Sequence, residues 1–168
     1  PIVVNPSAGP GAFSVSFAPN GAALVSETGP SGVANGSAIS SYEVAGNGTL
    51  TPISTSVPTL GAANCWNVVT PDGSFVYTSN AGSSNISGFA IANTGALTAL
   101  PGTVVGINPE GSVNLDITVS SDGKFIYTLN SVAGAIGIFA VQKDGTLLNV
   151  GSASGVSPLS GFNGIAAF

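Results

Sequence analysis

Positive charge is the scarcest feature of this sequence, which contains no histidine and no arginine. Its only cations are Lys124 and Lys143, set against seven acidic residues for a net charge of −5. Because phosphate groups are bound by Lys and Arg side chains, we expect neither a nucleic-acid partner nor binding to an anionic membrane. The missing histidine also excludes, within this chain, a serine or cysteine nucleophile activated by a histidine base.

Cysteine, methionine and long apolar runs are scarce as well. Cys65 is the only cysteine, so the chain forms no internal disulfide. It is either a small buried hydrophobic residue or half of a disulfide whose partner lies outside this sequence. No run of 18 apolar residues is present, so no membrane-spanning helix is predicted. The chain starts at Pro1 without a methionine, and we interpret it as a processed product or a piece of a longer protein.

Charged residues make up only 5% of the chain, whereas apolar residues make up 43%. That apolar content is enough for a folded core and argues against disorder. Solubility must then come from Ser, Thr, Asn and Gly side chains, a balance typical of secreted proteins. We therefore predict an extracellular or periplasmic location.

The sequence does contain an internal repeat with a period of about 50 residues. The stretch TPDGSFVYTSN at 70–80 returns as SSDGKFIYTLN at 120–130, and Pro19-Asn20-Gly21 marks an earlier copy of the same turn. Asn-Gly and Asp-Gly pairs supply the positive φ angles that tight hairpins need, and β-branched and aromatic residues follow them. A repeat of this length made of short strands is typical of β-propeller blades.

We predict an all-β chain that forms a β-propeller segment, a single domain over residues 1–168. About three complete four-stranded blades are predicted at 11–54, 63–100 and 112–150, with inner strands near 13–18, 65–70 and 114–119. In the second blade, strands are expected at about 65–70, 75–80, 86–91 and 96–100. Partial blades are expected at both ends, with Pro1–Val4 as an outer strand and 161–168 as the first strand of a further blade.

Three stretches carry a resemblance to a known family: TPDGSFVYTSN, ISGFAIANTGALTAL and SSDGKFIYTLN followed by IGIFAVQKDGTL. They closely resemble the lactonase, or 3-carboxymuconate-cyclase-like, family of seven-bladed β-propellers, over essentially the whole chain. The resemblance implies the C-terminal half of such a protein. It also implies lactone chemistry that uses His, Arg and acidic side chains of the central channel. Since this chain has no His and no Arg, those residues would have to lie outside it.

In the predicted blades, one end of the inner strands and the loops after the second and fourth strands meet at the mouth of the channel. We expect eight side chains to converge there: Glu27, Asn64, Cys65, Trp66, Asn80, Asn114, Asp116 and Asn130. Such mouths bind small ligands, and a pair such as Glu27 and Asp116 can act as general acid and base or hold a cation. The alternative is that the Asn and Asp side chains cap turns and that Trp66 packs between blades.

Three Asn-x-Ser/Thr sequons, at Asn35, Asn47 and Asn85, are predicted to lie in surface hairpins that can accept a glycan. No nucleotide, phosphate or metal motif is present, so we expect no cofactor and no metal, and we assign no catalytic residue.

Two classes of function remain. The first is a secreted, non-catalytic propeller that serves as a binding or structural module, with a small-molecule or carbohydrate ligand. The second is part of a lactone hydrolase or cycloisomerase whose catalytic His and Arg lie elsewhere. In either case a three-blade stack leaves apolar sheet faces bare, so the partner is expected to be the remaining half of the propeller or a second copy of the chain.

Overall fold

The computed structural model describes residues 2–31 and 33–168, and all regular secondary structure within them is β-strand. The strands form three four-stranded sheets, each antiparallel and each in chain order. Blade 1 consists of β1 (Ala12–Phe17), β2 (Ala23–Glu27), β3 (Ala38–Val44) and β4 (Leu50–Pro58). Blade 2 consists of β5 (Asn64–Val69), β6 (Phe75–Asn80), β7 (Asn85–Ile91) and β8 (Leu97–Ile107). Blade 3 consists of β9 (Asn114–Val119), β10 (Phe125–Asn130), β11 (Ala135–Val141) and β12 (Leu147–Ser154).

The predicted fold class is therefore confirmed, and the three inner strands begin within one residue of their predicted positions. No helix long and apolar enough to cross a membrane occurs among the described residues.

The first hairpin of each blade turns on an Asn-Gly or Asp-Gly pair. Gly21, Gly73 and Gly123 adopt φ angles of 87°, 74° and 72°, a conformation that residues with a side chain rarely adopt. In blades 2 and 3 the aspartate before the glycine accepts a hydrogen bond at 3.0 Å from the backbone N–H of Ser74 or Lys124. Local turn chemistry thus produces the same hairpin in successive blades.

The hydrophobic cores lie between the blades. The inner strand β5 contacts β1 on one side and β9 on the other. One core joins Leu24 and Ile39 of blade 1 to Phe89 of blade 2, and the other joins Tyr77 of blade 2 to Phe139 of blade 3. Each of these five side chains is at most 1% exposed. Blade 2 is therefore covered on both faces, whereas blades 1 and 3 are each covered by a neighbouring blade on one face only.

The outer strands are longer than predicted: β4, β8 and β12 end at Pro58, Ile107 and Ser154 instead of at 54, 100 and 150. Pro101-Gly102 suggests the end of a strand, but the structure accommodates the pair as a bulge within β8, where Gly102 and Thr103 have positive φ angles. Since β8 has one free edge in its sheet, a proline and a bulge disturb few hydrogen bonds there.

The two predicted terminal strands are not formed in this chain. Residues 2–4 and 161–168 lie outside every strand, and Pro1 lies outside the described residues. A strand needs a hydrogen-bonded partner, and none of the described strands pairs with these segments. Instead, the Asn5 side chain donates to the Gly48 carbonyl and accepts from the Leu50 N–H, both at 2.9 Å, which holds the N-terminal segment against blade 1.

Candidate functional site

The loops after the second and fourth strands meet at one end of the blades, as the predicted channel mouth requires. The Ala81 N–H donates to the Ala63 carbonyl at 3.0 Å, and the Ser131 N–H donates to the Val113 carbonyl at 3.1 Å. We call this region the mouth end; it comprises residues 28–37, 59–63, 81–84, 108–113 and 131–134, apart from Gly32, which is outside the described residues. The eight predicted site residues lie at or next to it.

Strand register aligns these residues from blade to blade. Asn64 is paired with Asn80, and Asn114 is paired with Asn130. In blade 1 the corresponding pair is Ala12 and Glu27. The structure thus places Glu27, Asn80 and Asn130 at equivalent positions.

Five of the eight candidates are inaccessible to a ligand in the channel. Glu27, Asn64, Asn80 and Asn114 are 0% exposed and Asn130 is 1% exposed. The Asn64 amide donates to the Ala38 carbonyl at 2.7 Å, and the Asn114 amide donates to the Asn85 carbonyl at 2.9 Å. Each bond ties an inner strand to the third strand of the preceding blade. The expectation that these amides line the channel mouth is therefore wrong, because they satisfy backbone groups buried between blades.

Glu27 is enclosed within blade 1 and the segment before it. Its two carboxylate oxygens accept hydrogen bonds from the Ser40 and Ser56 hydroxyls, at 2.7 and 2.8 Å. The backbone of Gly9 lies so close that a Cβ there would come within 2.3 Å of Glu27 Oε2. A side chain at position 9 would therefore displace this carboxylate.

Asp116 lies on β9 of blade 3 and is half-buried. Burial raises its pKa, while hydrogen bonds from the Ile165 and Ile117 N–H groups, at 2.9 and 2.7 Å, act in the opposite direction. Blade 2 stands between Asp116 and Glu27, and the hydrogen-bond partners of the two carboxylates are different. The two carboxylates share no hydrogen-bond partner, and Glu27, at 0% exposed, is not available to act on a ligand beside Asp116. Within the described residues, no three His, Cys, Asp or Glu side chains are grouped for a metal ion.

Cys65 and Trp66, like Asp116, are not fully buried. Cys65 is half-buried, its thiol donates to the Ala63 carbonyl at 3.3 Å, and burial raises its pKa. Trp66 is 38% exposed and meets Phe13 edge-on, with the ring centres 5.6 Å apart. Trp66 therefore both packs between blades and presents an aromatic surface. Phe13 was not among the predicted site residues, although it stands in the alternating apolar pattern of β1.

Asn67 is an important polar residue that the sequence did not indicate as a site. From the middle of β5 its amide donates to the Ser26 hydroxyl at 2.8 Å, and its carbonyl oxygen accepts from Ser16. Asparagine is disfavoured in strands, so its presence in an apolar run is a signal of a specific polar contact.

Two of the three sequons are exposed, at Asn35 and Asn47. Asn85 instead begins β7, is half-buried, and accepts a hydrogen bond at 2.8 Å from the Asn80 amide. Asn85 therefore lies at the base of the hairpin between β6 and β7, as the first residue of β7, and is less exposed than Asn35 and Asn47.

A surface cavity of about 540 Å³ opens at the mouth end between blades 1 and 2. The residues lining it are Thr28, Gly29, Pro30, Ser31, Val33, Ala34, Ala62, Ala63 and Gly82. The described residues that line it are uncharged. Thr28 and Ser31 contribute hydroxyl groups, and Val33, Ala34, Ala62 and Ala63 contribute small apolar side chains.

The sequence model of the family described as "Lactonase, 7-bladed beta-propeller" matches residues 17–114. The chain belongs to this family. The resemblance seen in the repeat motifs is thereby confirmed. No curated protein sequence matches the chain.

Three solved structures with a similar fold are each about twice as long as this chain. A functionally unknown protein from Desulfotomaculum acetoxidans is 24% identical with a TM-score of 0.73, and the match covers 89% of this chain and 44% of that one. A periplasmic gluconolactonase from Pseudomonas aeruginosa is 20% identical with a TM-score of 0.69, with coverage of 88% and 43%. A putative 6-phosphogluconolactonase from Bacteroides fragilis is 21% identical with a TM-score of 0.69, with coverage of 87% and 40%. At these identities the three similarities establish the fold alone.

Proposed function

We propose that this chain is a non-catalytic segment of a lactonase-family propeller that serves binding and structure. The observation that carries the proposal is that both candidate carboxylates are occupied by hydrogen bonds from the chain itself. Glu27 is fully buried and bound by two serine hydroxyls, and Asp116 is bound by backbone N–H groups. The chain has no His and no Arg to replace them as acid, base or anion binder.

The ligand that fits the mouth end is small and uncharged, such as a sugar. The cavity of about 540 Å³ is within the usual range for small-molecule sites. Hydroxyls of Thr28 and Ser31 supply hydrogen-bonding groups, while Val33 and Ala62 supply apolar contact. An uncharged lining gives no advantage to a phosphorylated ligand.

We also propose that the protein works outside the cytoplasm. Its surface depends on uncharged polar residues, with only 5% charged residues in the chain. A periplasmic protein is among its structural neighbours, which supports the same location.

A second function, part of a lactone-hydrolysing enzyme, is favoured by one observation. Asp116 is half-buried with a raised pKa, and a carboxyl group that keeps its proton to higher pH is suited to act as a general acid. Two of the neighbours are described as a gluconolactonase and a putative 6-phosphogluconolactonase. The remaining catalytic groups would then come from polypeptide outside these 168 residues.

An assay with glucono-1,5-lactone tests whether these 168 residues catalyse lactone hydrolysis by themselves. The purified 168-residue chain is expected to leave the lactone to hydrolyse at the rate in buffer alone. The variant Asp116→Asn tests the candidate acid, and Glu110→Gln, which changes an exposed carboxylate, is its matched control. Turnover by the unaltered chain that is lost in Asp116→Asn and kept in Glu110→Gln would contradict the proposal.

A further inference from the structure

The sequence contains four Asn-Gly pairs, and the structure holds them in two different ways. They are Asn20-Gly21, Asn35-Gly36, Asn47-Gly48 and Asn163-Gly164. Asparagine before glycine is prone to deamidation, because glycine has no side chain to keep its backbone nitrogen away from the asparagine amide. We propose that Asn35 is a site of spontaneous deamidation, which adds a carboxylate to the mouth end of the folded protein.

The reaction needs only the chain and water. The Gly36 backbone nitrogen loses its proton to solvent and attacks Cγ of the Asn35 side chain. The bond from Cγ to the amide nitrogen breaks, that nitrogen takes a proton from solvent and leaves as ammonia, and a cyclic succinimide remains. Water then opens the ring at either carbonyl, which gives aspartate or isoaspartate. The attacking atom must come within about 3–3.5 Å of the carbon, so contacts that hold either atom in place slow the reaction.

The pairs at Asn20 and Asn47 are held at both reacting groups. Each pair lies in a hairpin turn, where the glycine N–H donates at 2.8 Å to the carbonyl three residues earlier. The asparagine side-chain oxygen accepts a hydrogen bond from the N–H two residues later, at 3.1 Å from Ala22 and at 3.0 Å from Thr49. The attack would have to break both hydrogen bonds and distort the hairpin.

Asn35 lies in the loop between β2 and β3, where the restraints are weaker. The Gly36 N–H donates to the Val33 carbonyl at 3.3 Å, a longer bond than the 2.8 Å of the two hairpins. The Asn35 side chain is exposed, and it accepts no hydrogen bond from the described residues like those of Asn20 and Asn47. Its φ angle is 55°, a conformation that residues with a side chain seldom adopt, so little free energy is lost when it changes.

Deamidation at Asn35 would change the charge at one wall of the mouth cavity. Val33 and Ala34, the two residues before it, line the cavity, and its described lining carries no charge. The reaction places a carboxylate on the next residue and makes the net charge of −5 more negative by one unit. An anionic ligand at this end would then be repelled. The change occurs whatever ligand the cavity binds.

Isoaspartate would also lengthen the backbone of the loop by a carbon atom. Beyond Gly36 the chain is fixed, since the Ser37 hydroxyl donates to the Thr28 carbonyl at 2.7 Å. The Ser37 N–H also donates to the Gly61 carbonyl at 3.2 Å. The extra length must therefore be taken up by residues 33–35, beside the cavity.

Asn163 provides an internal reference for a pair without such restraints. Residues 161–168 lie outside every strand, and both Asn163 and Gly164 are exposed. Among the described residues, no backbone carbonyl accepts the Gly164 N–H. Asn163 should therefore react at close to the rate of the unfolded chain, and Asn35 should react nearly as fast.

The test compares the four pairs within one sample of the 168-residue chain, made in a host that adds no N-linked glycan. Folded and urea-unfolded samples are incubated at mildly alkaline pH. They are then digested with pepsin, because trypsin would cut only after Lys124 and Lys143. Mass spectrometry follows the conversion of each asparagine. The four pairs should react at similar rates when unfolded. In the folded chain Asn20 and Asn47 should slow by about tenfold or more, while Asn35 should not, because two hydrogen bonds protect each hairpin pair.

Two variants assign the acidic form that accumulates during incubation. Asn35→Gly removes the reacting amide and suits the positive φ angle, and Asn47→Gly is its matched control in a hairpin. Anion exchange should show less acidic form from Asn35→Gly, with the remainder from Asn163, and an unchanged amount from Asn47→Gly. If Asn35→Gly does not fold, the peptides of the unaltered chain decide the question alone. A folded chain in which Asn35 reacts as slowly as Asn47, or in which all four pairs react equally fast, would overturn the proposal.

Discussion

Blades 2 and 3 carry nearly the same sequence in their second strands, yet the two strands are buried to different extents. Tyr77 of blade 2 is 0% exposed, while Tyr127 at the same place in blade 3 is only half-buried. The difference comes from the neighbour, since blade 3 covers Tyr77 and no described residue of a further blade covers Tyr127. A propeller core is thus a property of two adjacent repeats, as in other repeat architectures where each unit is stabilised by its neighbours.

The same two blades also differ in one buried polar contact. In blade 2 the Asn80 amide donates to the Ser87 hydroxyl at 2.8 Å. In blade 3 the serine position is Gly137, and the Asn130 amide donates instead to Asn108 Oδ1 at 2.9 Å. An amide from the preceding loop has replaced a hydroxyl from within the sheet. The arrangement in blade 3 is less complete: the described buried atoms without a partner are Asn108 Nδ2, Asn114 Oδ1 and Asn130 Oδ1 around blade 3, compared with Asn80 Oδ1 in blade 2.

The largest expected effect is a difference between the two tyrosines. Tyr77→Ala removes a fully buried ring and should lower the free energy of unfolding by roughly 3–5 kcal/mol. Tyr127→Ala in the same chain should cost about 1 kcal/mol or less, because its ring is only half-buried. Urea unfolding followed by circular dichroism measures both values. Equal losses for the two variants would show that blade 3 is covered in solution.

A smaller effect is expected from restoring the blade 2 residue in blade 3. A Cβ at Gly137 would lie 2.4 Å from Asn108 Oδ1 and 2.5 Å from Thr128 Oγ1. Gly137→Ser should therefore destabilise the chain by roughly 1–3 kcal/mol.

The double variant Gly137→Ser with Asn108→Thr serves as the control for that change. It reproduces the Ser87 and Thr59 pair of blade 2, where the Ser87 hydroxyl also donates to the Thr59 carbonyl. Most of the lost stability should return, and a double-mutant cycle measures the coupling. If the losses of stability from the two single changes simply add, positions 108 and 137 of blade 3 are not coupled and the blade 2 pair cannot replace them.

The smallest expected effect is on the pKa values of three aspartates. Two of them are shifted by hydrogen bonds within a turn, and the third is shifted by burial. In the equivalent turns of blades 2 and 3, hydrogen bonds from Thr70 and Ser74 lower the pKa of Asp72. Those from Ser120 and Lys124 lower the pKa of Asp122 to about 2. Both aspartates should therefore titrate below their ordinary pH in carboxyl-resolved NMR, and Asp116 above it, because burial raises the pKa of Asp116.

The lowered pKa of Asp122 and the raised pKa of Asp116 have opposite effects on how the free energy of unfolding depends on pH. The contribution of Asp122 is present above the ordinary aspartate pKa and is lost as the pH falls towards 2. For Asp116, the folded state binds a proton more tightly than the unfolded state, so stability decreases as the pH rises from the ordinary pKa to the raised one. Asp116→Asn should abolish only the second dependence. An Asp116 whose pKa lies at or below the ordinary value would show that its burial does not outweigh the hydrogen bonds from the Ile165 and Ile117 N–H groups.

The sequence was sufficient for the fold because the signals were local. The Asp-Gly turns at Gly73 and Gly123 adopt positive φ angles, and the strands of six or seven residues on either side of the short turns pair with their neighbours along the chain. It was misleading for β8, where Pro101-Gly102 is a bulge within the strand rather than its end. A Pro-Gly pair within a strand looks the same in sequence as one in a turn. The two differ in whether the residues on both sides pair with the same neighbouring strand, and the local sequence does not show that.

The candidate site was decided by tertiary structure. The amino-acid sequence alone determined the turns, the strands and the equivalence of Glu27, Asn80 and Asn130 along the repeat, since all of these depend on residues close in the chain. Whether those side chains face the channel or a neighbouring blade depends on contacts between residues far apart in sequence, such as Asn64 with Ala38. Polar residues at strand ends look alike in sequence whether they bind a ligand or a buried carbonyl. Only the packing of one blade on the next distinguishes the two, because it determines which backbone groups are cut off from water.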